Sequence, residues 1–167
     1  FKSKEEWETF AAPLRQKFLV ASGLWPLPEK TPLNAKVEPV ATHPDYIVEK
    51  VSFEAFPGFL VTGNLYRPVG DGPYPGVICP HGHWEHGRFE NTDLCSVSGR
   101  CITFARMGMA AFCYDMVGYN DSKQFPRGWG HSGGNVSEEQ RRLEGLWGIH
   151  PFAMQLWSAV RALDFME

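Results

Sequence analysis

The chain has 167 residues, 43% of them hydrophobic and 21% charged, which suits one folded domain with a buried core and excludes a disordered or low-complexity protein. Its net charge is −3 with Lys and Arg scattered, so nucleic acid finds no basic footprint. The apolar runs are too short for a bilayer-spanning helix, and four cysteines are too few for a disulfide scaffold.

In chain order, Trp7, Phe10, Ala11, Leu14 and Phe18 recur at helical spacing, with Pro13 expected to break the helix. Residues 23 to 46 carry Pro26, Pro28, Pro32, Pro39 and Pro44 and read as an extended surface arm. From Tyr46 the pattern alternates through Ile47, Glu49, Val51 and Phe53. Pro57-Gly58 then marks a turn, and Phe59 to Tyr66 forms the second strand of a hairpin. Pro75 to Pro80 is a short apolar run, predicted to be a strand buried on both faces. Leu94, Val97, Cys101, Phe104 and Ala105 share a helical face that Gly108 can end, and Met109 to Tyr114 is a further buried strand. Residues 75 to 115 thus predict a parallel strand, helix, strand crossover. A glycine-rich loop follows from Val117 to Asn135, and Ser137 with Gln140 forms a capping box for a short helix. Pro151 opens a last helix with Phe152, Leu156, Val160 and Leu163 as its buried stripe. The class is α/β. Cys79 and Cys113 read as small buried hydrophobes, while Cys95 and Cys101 are left either paired or free.

The chain opens with Phe1 and closes in helical pattern through Ala159 to Glu167 without a C-cap glycine. We therefore expect part of a longer protein whose initiator or signal peptide has been removed. That leaves export open and assigns no compartment.

Three stretches carry candidate chemistry. Pro80-His81-Gly82-His83-Trp84-Glu85-His86-Gly87-Arg88 follows a buried strand, where α/β sheets bind ligands. Its glycine turn can aim backbone N–H groups at a developing oxyanion. Alternatively His81, His83 and His86 supply zinc ligands, or the loop is simply polar. Gly130-His131-Ser132-Gly133-Gly134 matches G-x-S-x-G, which makes Ser132 a candidate nucleophile on pattern alone. The strand before it and the helix after it that a nucleophile elbow needs are both missing. Asp115-Met116-Val117-Gly118-Tyr119-Asn120-Asp121 lies on the same rim as the histidine loop. Asp115 and Tyr119 can wall a pocket there, and Asp115 and Asp121 can equally anchor a turn.

Taken together, several stretches resemble the N-terminal half of an α/β-hydrolase, in the acetyl xylan esterase and dienelactone hydrolase-like branch. They are Phe53 to Gly58 with Gly63 to Pro68, the Pro80 to His83 loop, Asp115 to Tyr119, and Leu156 to Asp164. The resemblance implies an incomplete hydrolase domain over 46–167, preceded by a helix and proline-rich arm over 1–45. It implies ester hydrolysis by a serine triad, with Gly82, His83 and Trp84 at the oxyanion hole and His81, Asp115 and Tyr119 at the substrate pocket. Nucleophile, acid and base would all lie beyond Glu167, on a continuation or a companion chain pairing with the free side of the Pro75–Pro80 strand. The substrate would be a small-molecule or carbohydrate ester, with Trp84, Trp129 and Trp147 offering stacking surface. No cofactor is expected. The histidine loop also resembles the metallo-β-lactamase signature, which would make His81, His83, His86 and His131 zinc ligands. Against that, Glu85 stands where that family carries aspartate. A non-catalytic structural half is the third reading.

Overall fold

The computed structural model describes residues 1–124 and 151–167. Helix α1 (Lys4–Ala21) begins where the Ser3 side chain accepts the Glu6 N–H at 3.2 Å, with Glu5 and Glu6 complementing the helix dipole. It runs through Pro13 without the expected break. Proline removes only the bond to the Thr9 carbonyl, and Thr9 is exposed to solvent, which makes that loss tolerable. The apolar stripe is not buried either. Trp7, Phe10, Leu14 and Phe18 stay 43 to 53% exposed, and Ala11 alone of the helix is buried. After Gly23, in the left-handed region, Leu24 donates to the Leu19 carbonyl at 2.8 Å and enters the core.

The arm contains a strand that the sequence did not announce. Strand β1 (Lys36–Thr42) pairs antiparallel with β2 (Tyr46–Phe56), and its register shifts between Pro39 and Ala41. Pro39 argues for an arm when read alone, yet proline is tolerated on an edge strand at a bulge. The expected hairpin is present: β2 and β3 (Phe59–Pro68) pair through a turn at Pro57-Gly58. Strand β4 (Gly76–Ile78), helix α2 (Val97–Arg106) and strand β5 (Ala110–Tyr114) follow, with β4 and β5 parallel as predicted. Leu94 falls outside α2, which is capped by Ser96, and is fully exposed.

The sheet order is β1-β2-β3-β5-β4. Strand β4 is therefore an edge among the described residues, and it is partly exposed instead of buried on both faces. Alternation along β5 divides the core. Phe112 and Tyr114 face one cluster with Val51, Phe53, Val61 and helix α3 (Pro151–Met166), while Ala111 and Cys113 face another with Val97, Cys101 and Ala105 of α2. The sheet thus lies between α2 and α3.

Helix α3 starts at Pro151 as expected, but its buried face is Ala153, Trp157, Ser158, Arg161 and Ala162. Phe152 and Leu163 are exposed, while Leu156 and Val160 are half-buried. Polar anchors set this rotation. The Trp157 indole donates to the Ala55 carbonyl at 2.8 Å, and Arg161 donates to the Thr31 carbonyl while pairing with Asp164 of its own helix. All four cysteines are free, so Cys95 and Cys101 do not pair, and Cys79 and Cys113 are buried as read. No helix among the described residues is long and apolar enough to cross a membrane.

Candidate active site

The carboxyl ends of the parallel strands β4 and β5 run into two loops that face each other. From β4 the chain passes Cys79 and Pro80 into His81, whose side chain is buried. Its Nδ1 lies 2.7 Å from the Gly82 carbonyl, and its Nε2 accepts the Met116 N–H at 3.1 Å. A carbonyl only accepts, so His81 is the neutral tautomer with its proton on Nδ1. One imidazole thereby ties the loop after β4 to the loop after β5.

Gly82 is pressed under the Trp84 ring. A Cβ there would meet Trp84 Cζ2 at 2.9 Å and Cε2 at 3.0 Å, so any larger residue forces the Trp84 ring to move. The Trp84 N–H donates back to the Gly82 carbonyl at 2.9 Å, closing the turn around His83. Gly87, at φ +56°, lets the loop approach the opposite turn. A side chain there would meet Asn120 Nδ2 at 2.9 Å, Tyr119 Cδ1 at 3.0 Å and His81 Nε2 at 3.2 Å. The Tyr119 ring stands edge-on to His81, with centroids 4.6 Å apart. Burial raises the Tyr119 phenol above its ordinary value, so it meets the pocket as a neutral group.

These loops enclose a cavity of about 70 Å³ lined by His81, Gly82, His83, Met116, Tyr119 and Gln155. Of the residues singled out in sequence, His81, Gly82, His83 and Tyr119 come together here. Met116, and Gln155 of α3, join them unforeseen. Trp84 backs the turn without lining the cavity. Asp115 does not line it either, because its side chain is fully buried and wholly committed. It accepts from Thr62 Oγ1 at 3.0 Å, Asn120 Nδ2 at 2.8 Å and the Asp121 N–H at 3.2 Å, and it pairs with Arg88. The turn-anchoring reading of Asp115 is thus the one its geometry fits.

The zinc reading loses its first ligand. Both His81 nitrogens are hydrogen-bonded, and the described residues contain no group of three or more His, Cys, Asp or Glu able to hold a metal ion. His83 and His86 are exposed beside the buried His81. His131, Ser132, Trp129, Trp147 and the Ser137–Gln140 capping box lie outside the described residues.

Sequence reasoning missed Arg88, a buried cation among the rim's acidic groups. A lone arginine after three histidines carries no signal of burial, since its partners are remote in sequence. Behind the loop, Cys79, Cys101 and Cys113 share the second core cluster. Hydrogen bonding from Cys101 and the nearby Arg100 charge lower the Cys79 thiol, while hydrogen bonding to Cys113 and Cys79, together with burial, raises Cys101.

No family model and no curated protein matches the chain. Solved structures do. Methylesterase BT1017 aligns at TM-score 0.56 and 29% identity over 73% of this chain and 27% of its own. An acetyl xylan esterase from Paenibacillus sp. R4 aligns at TM-score 0.56 and 21% identity over 91% of this chain and 45% of its own. A Bacteroides fragilis protein assigned as an acetyl xylan esterase aligns at TM-score 0.67 and 16% identity over 98% of this chain and 44% of its own. The chain therefore spans less than half the length of each of these proteins. Its fold is the N-terminal half of an α/β-hydrolase-type sheet, in the esterase-like form.

Proposed function

We propose that this chain is the oxyanion-hole and pocket half of a serine-type carboxylic-ester hydrolase. The observation that carries the reading is the cavity at the carboxyl ends of β4 and β5, built around the His81-Gly82-His83 turn on an esterase-like sheet. Ligands of open α/β sheets bind in this position. In this reading a serine oxygen attacks the ester carbonyl, and negative charge moves onto the carbonyl oxygen. The His83 backbone N–H donates to that oxygen as one half of the hole, while Gly82 gives the turn its tight shape. The Trp84 N–H is spent on the Gly82 carbonyl, so Trp84 acts as the wedge behind the turn. His81 holds the two loops together, and neutral Tyr119 walls the pocket.

The nucleophile, its histidine and its acid come from outside residues 1–167, on a continuation or a companion chain. The edge of β4, which has no partner strand among the described residues, is where that part would pair. A carbohydrate acetyl ester, or a methyl ester, is the substrate class suggested by the names of the aligned enzymes. No cofactor is needed.

The test is a fluorophosphonate probe on the full-length protein, read by intact mass, together with hydrolysis of 4-nitrophenyl acetate. We expect one adduct, on a serine outside these residues. Because the donor is a backbone group, Gly82→Val should lower kcat by about 100- to 1000-fold. His83→Ala should leave it within about fivefold, since the alanine keeps the N–H. The reverse ranking, or no adduct at all, would overturn the proposal.

A further inference from the structure

We propose that Arg88 is a positioning residue: it sets the register between the histidine loop and the 115–121 turn, and thereby the place of the His83 N–H in the pocket. The inference rests on the ester-hydrolase reading above, and assigns Arg88 no contact with substrate.

The side chain of Arg88 is only 4% exposed, and it bonds three residues on two other segments. Its Nε donates to Asn64 Oδ1 of β3 at 3.0 Å, one terminal nitrogen donates to Asp121 Oδ2 at 2.7 Å, and the other pairs with Asp115. A guanidinium fork spreads its donors over three nitrogens in fixed directions, whereas an ammonium concentrates its donors on one. The two carboxylates are not equivalent. Asp121 is 63% exposed and screened by solvent, whereas Asp115 is fully buried and has Arg88 as its cationic partner.

The network closes into a ring. Arg88 pairs with Asp115, whose Oδ1 accepts from Asn120 Nδ2, and the same Nδ2 donates to the His86 carbonyl at 3.3 Å. His86 lies two residues before Arg88, with Gly87 wedged between them against Tyr119 and His81. Asn120 sits at φ +40°, a conformation asparagine tolerates better than most residues, and this directs its amide into the ring. The histidine loop is therefore fastened to the turn at two points. The His81–Met116 bond holds one end, and the Arg88 ring holds the other.

Five of the six residues lining the cavity belong to this fastened pair of loops, and His83 lies between the two fastenings. An oxyanion donor works only at hydrogen-bond distance from the developing charge, and a 1 Å error costs on the order of 100-fold. Loosening the Arg88 end lets the His83 N–H drift, while the His81–Met116 bond still holds the other end of the pocket. The expected signature is lost turnover with substrate affinity kept.

The experiment compares full-length wild type with Arg88→Lys, Arg88→Ala and a core control, Val51→Ala. Val51 is fully buried in the cluster facing α3. The readouts are kcat and KM for 4-nitrophenyl acetate, the fluorophosphonate labelling rate and the thermal midpoint. Arg88→Lys keeps a buried cation and so reports even where Arg88→Ala does not fold. We expect Arg88→Lys to lower kcat at least tenfold with KM within twofold, and to slow labelling in parallel. Val51→Ala should lower the midpoint at least as far yet keep kcat per labelled site. A kcat for Arg88→Lys within twofold of wild type overturns the inference, and so does an effect confined to KM. A wild type that neither hydrolyses the ester nor takes the probe overturns the functional reading, and this inference with it.

Discussion

Helices α1 and α3 carry apolar stripes of similar regularity in sequence, and the fold treats them in opposite ways. Trp7, Phe10, Leu14 and Phe18 of α1 remain about half exposed, whereas α3 packs Ala153, Trp157 and Ala162 into the main core. The difference lies in polar anchoring. Helix α3 is fixed by the Trp157 indole on the Ala55 carbonyl, by Arg161 on the Thr31 carbonyl and by Lys30 on Asp164 at 2.6 Å. The polar contacts of the α1 side chains stay close to home. Arg15 meets Glu8, and Thr9 bonds the Glu5 carbonyl. A stripe shows what a helix can bury; the directional bonds beside it decide which face is buried.

The sharpest way to break this comparison is to remove an anchor. Trp157 is 1% exposed and fills the space under Ala55 and Phe56. Trp157→Ala should cost about 3–5 kcal/mol through cavity formation and the orphaned Ala55 carbonyl, read as a lower urea midpoint. A loss below about 1 kcal/mol would mean that α3 is held no better than α1.

A second test uses pH. Tyr114 packs in the α3 cluster, and burial pushes its phenol up to about 12 from the ordinary 10.0. The native state then keeps a proton that the unfolded state loses, so this contribution is full below pH 10 and disappears as pH rises toward 12. The loss amounts to roughly 2–3 kcal/mol from this one group. Helix α1 contains no tyrosine, and the part of the alkaline slope that Tyr114 carries reports on the α3 side of the sheet. Urea titrations from pH 9 to 12 should give a shallower slope for Tyr114→Phe than for wild type. An unchanged slope would assign the alkaline transition to other groups, first to Tyr66 on the α2 side, whose phenol burial raises further.

Much of this architecture was legible before any coordinate. The hairpin follows from alternation at Val51 and Phe53 with a Pro57-Gly58 turn, and the crossover from two short apolar runs flanking a helical face. The loop at Gly82 announced itself by its place after a strand. Three features were not legible, and each depends on contacts remote in sequence. Strand β1 hides because Pro39 reads as an arm until β2 is known to lie beside it. The rotation of α3 hides because Arg161 finds its carbonyl at Thr31, 130 residues earlier. Arg88 reads as a surface cation until the fold brings Asp115 and Asp121 to it. Periodicity encodes local geometry, whereas the destination of a buried charge is set only once the sheet is assembled.

The smallest expected effect bears most directly on the comparison. Leu14 lies on the α1 stripe at 47% exposure, so truncation removes few contacts and leaves no closed cavity. Leu14→Ala should change stability by no more than about 0.5 kcal/mol, helped by alanine's higher helix propensity. The measurement is the same urea titration used for Trp157→Ala, so the two helices share one scale. A cost of about 2 kcal/mol or more is what a buried leucine would give, and it would show the α1 stripe covered in solution. The contrast between the helices would then belong to residues 1–167 taken alone and not to the protein in solution.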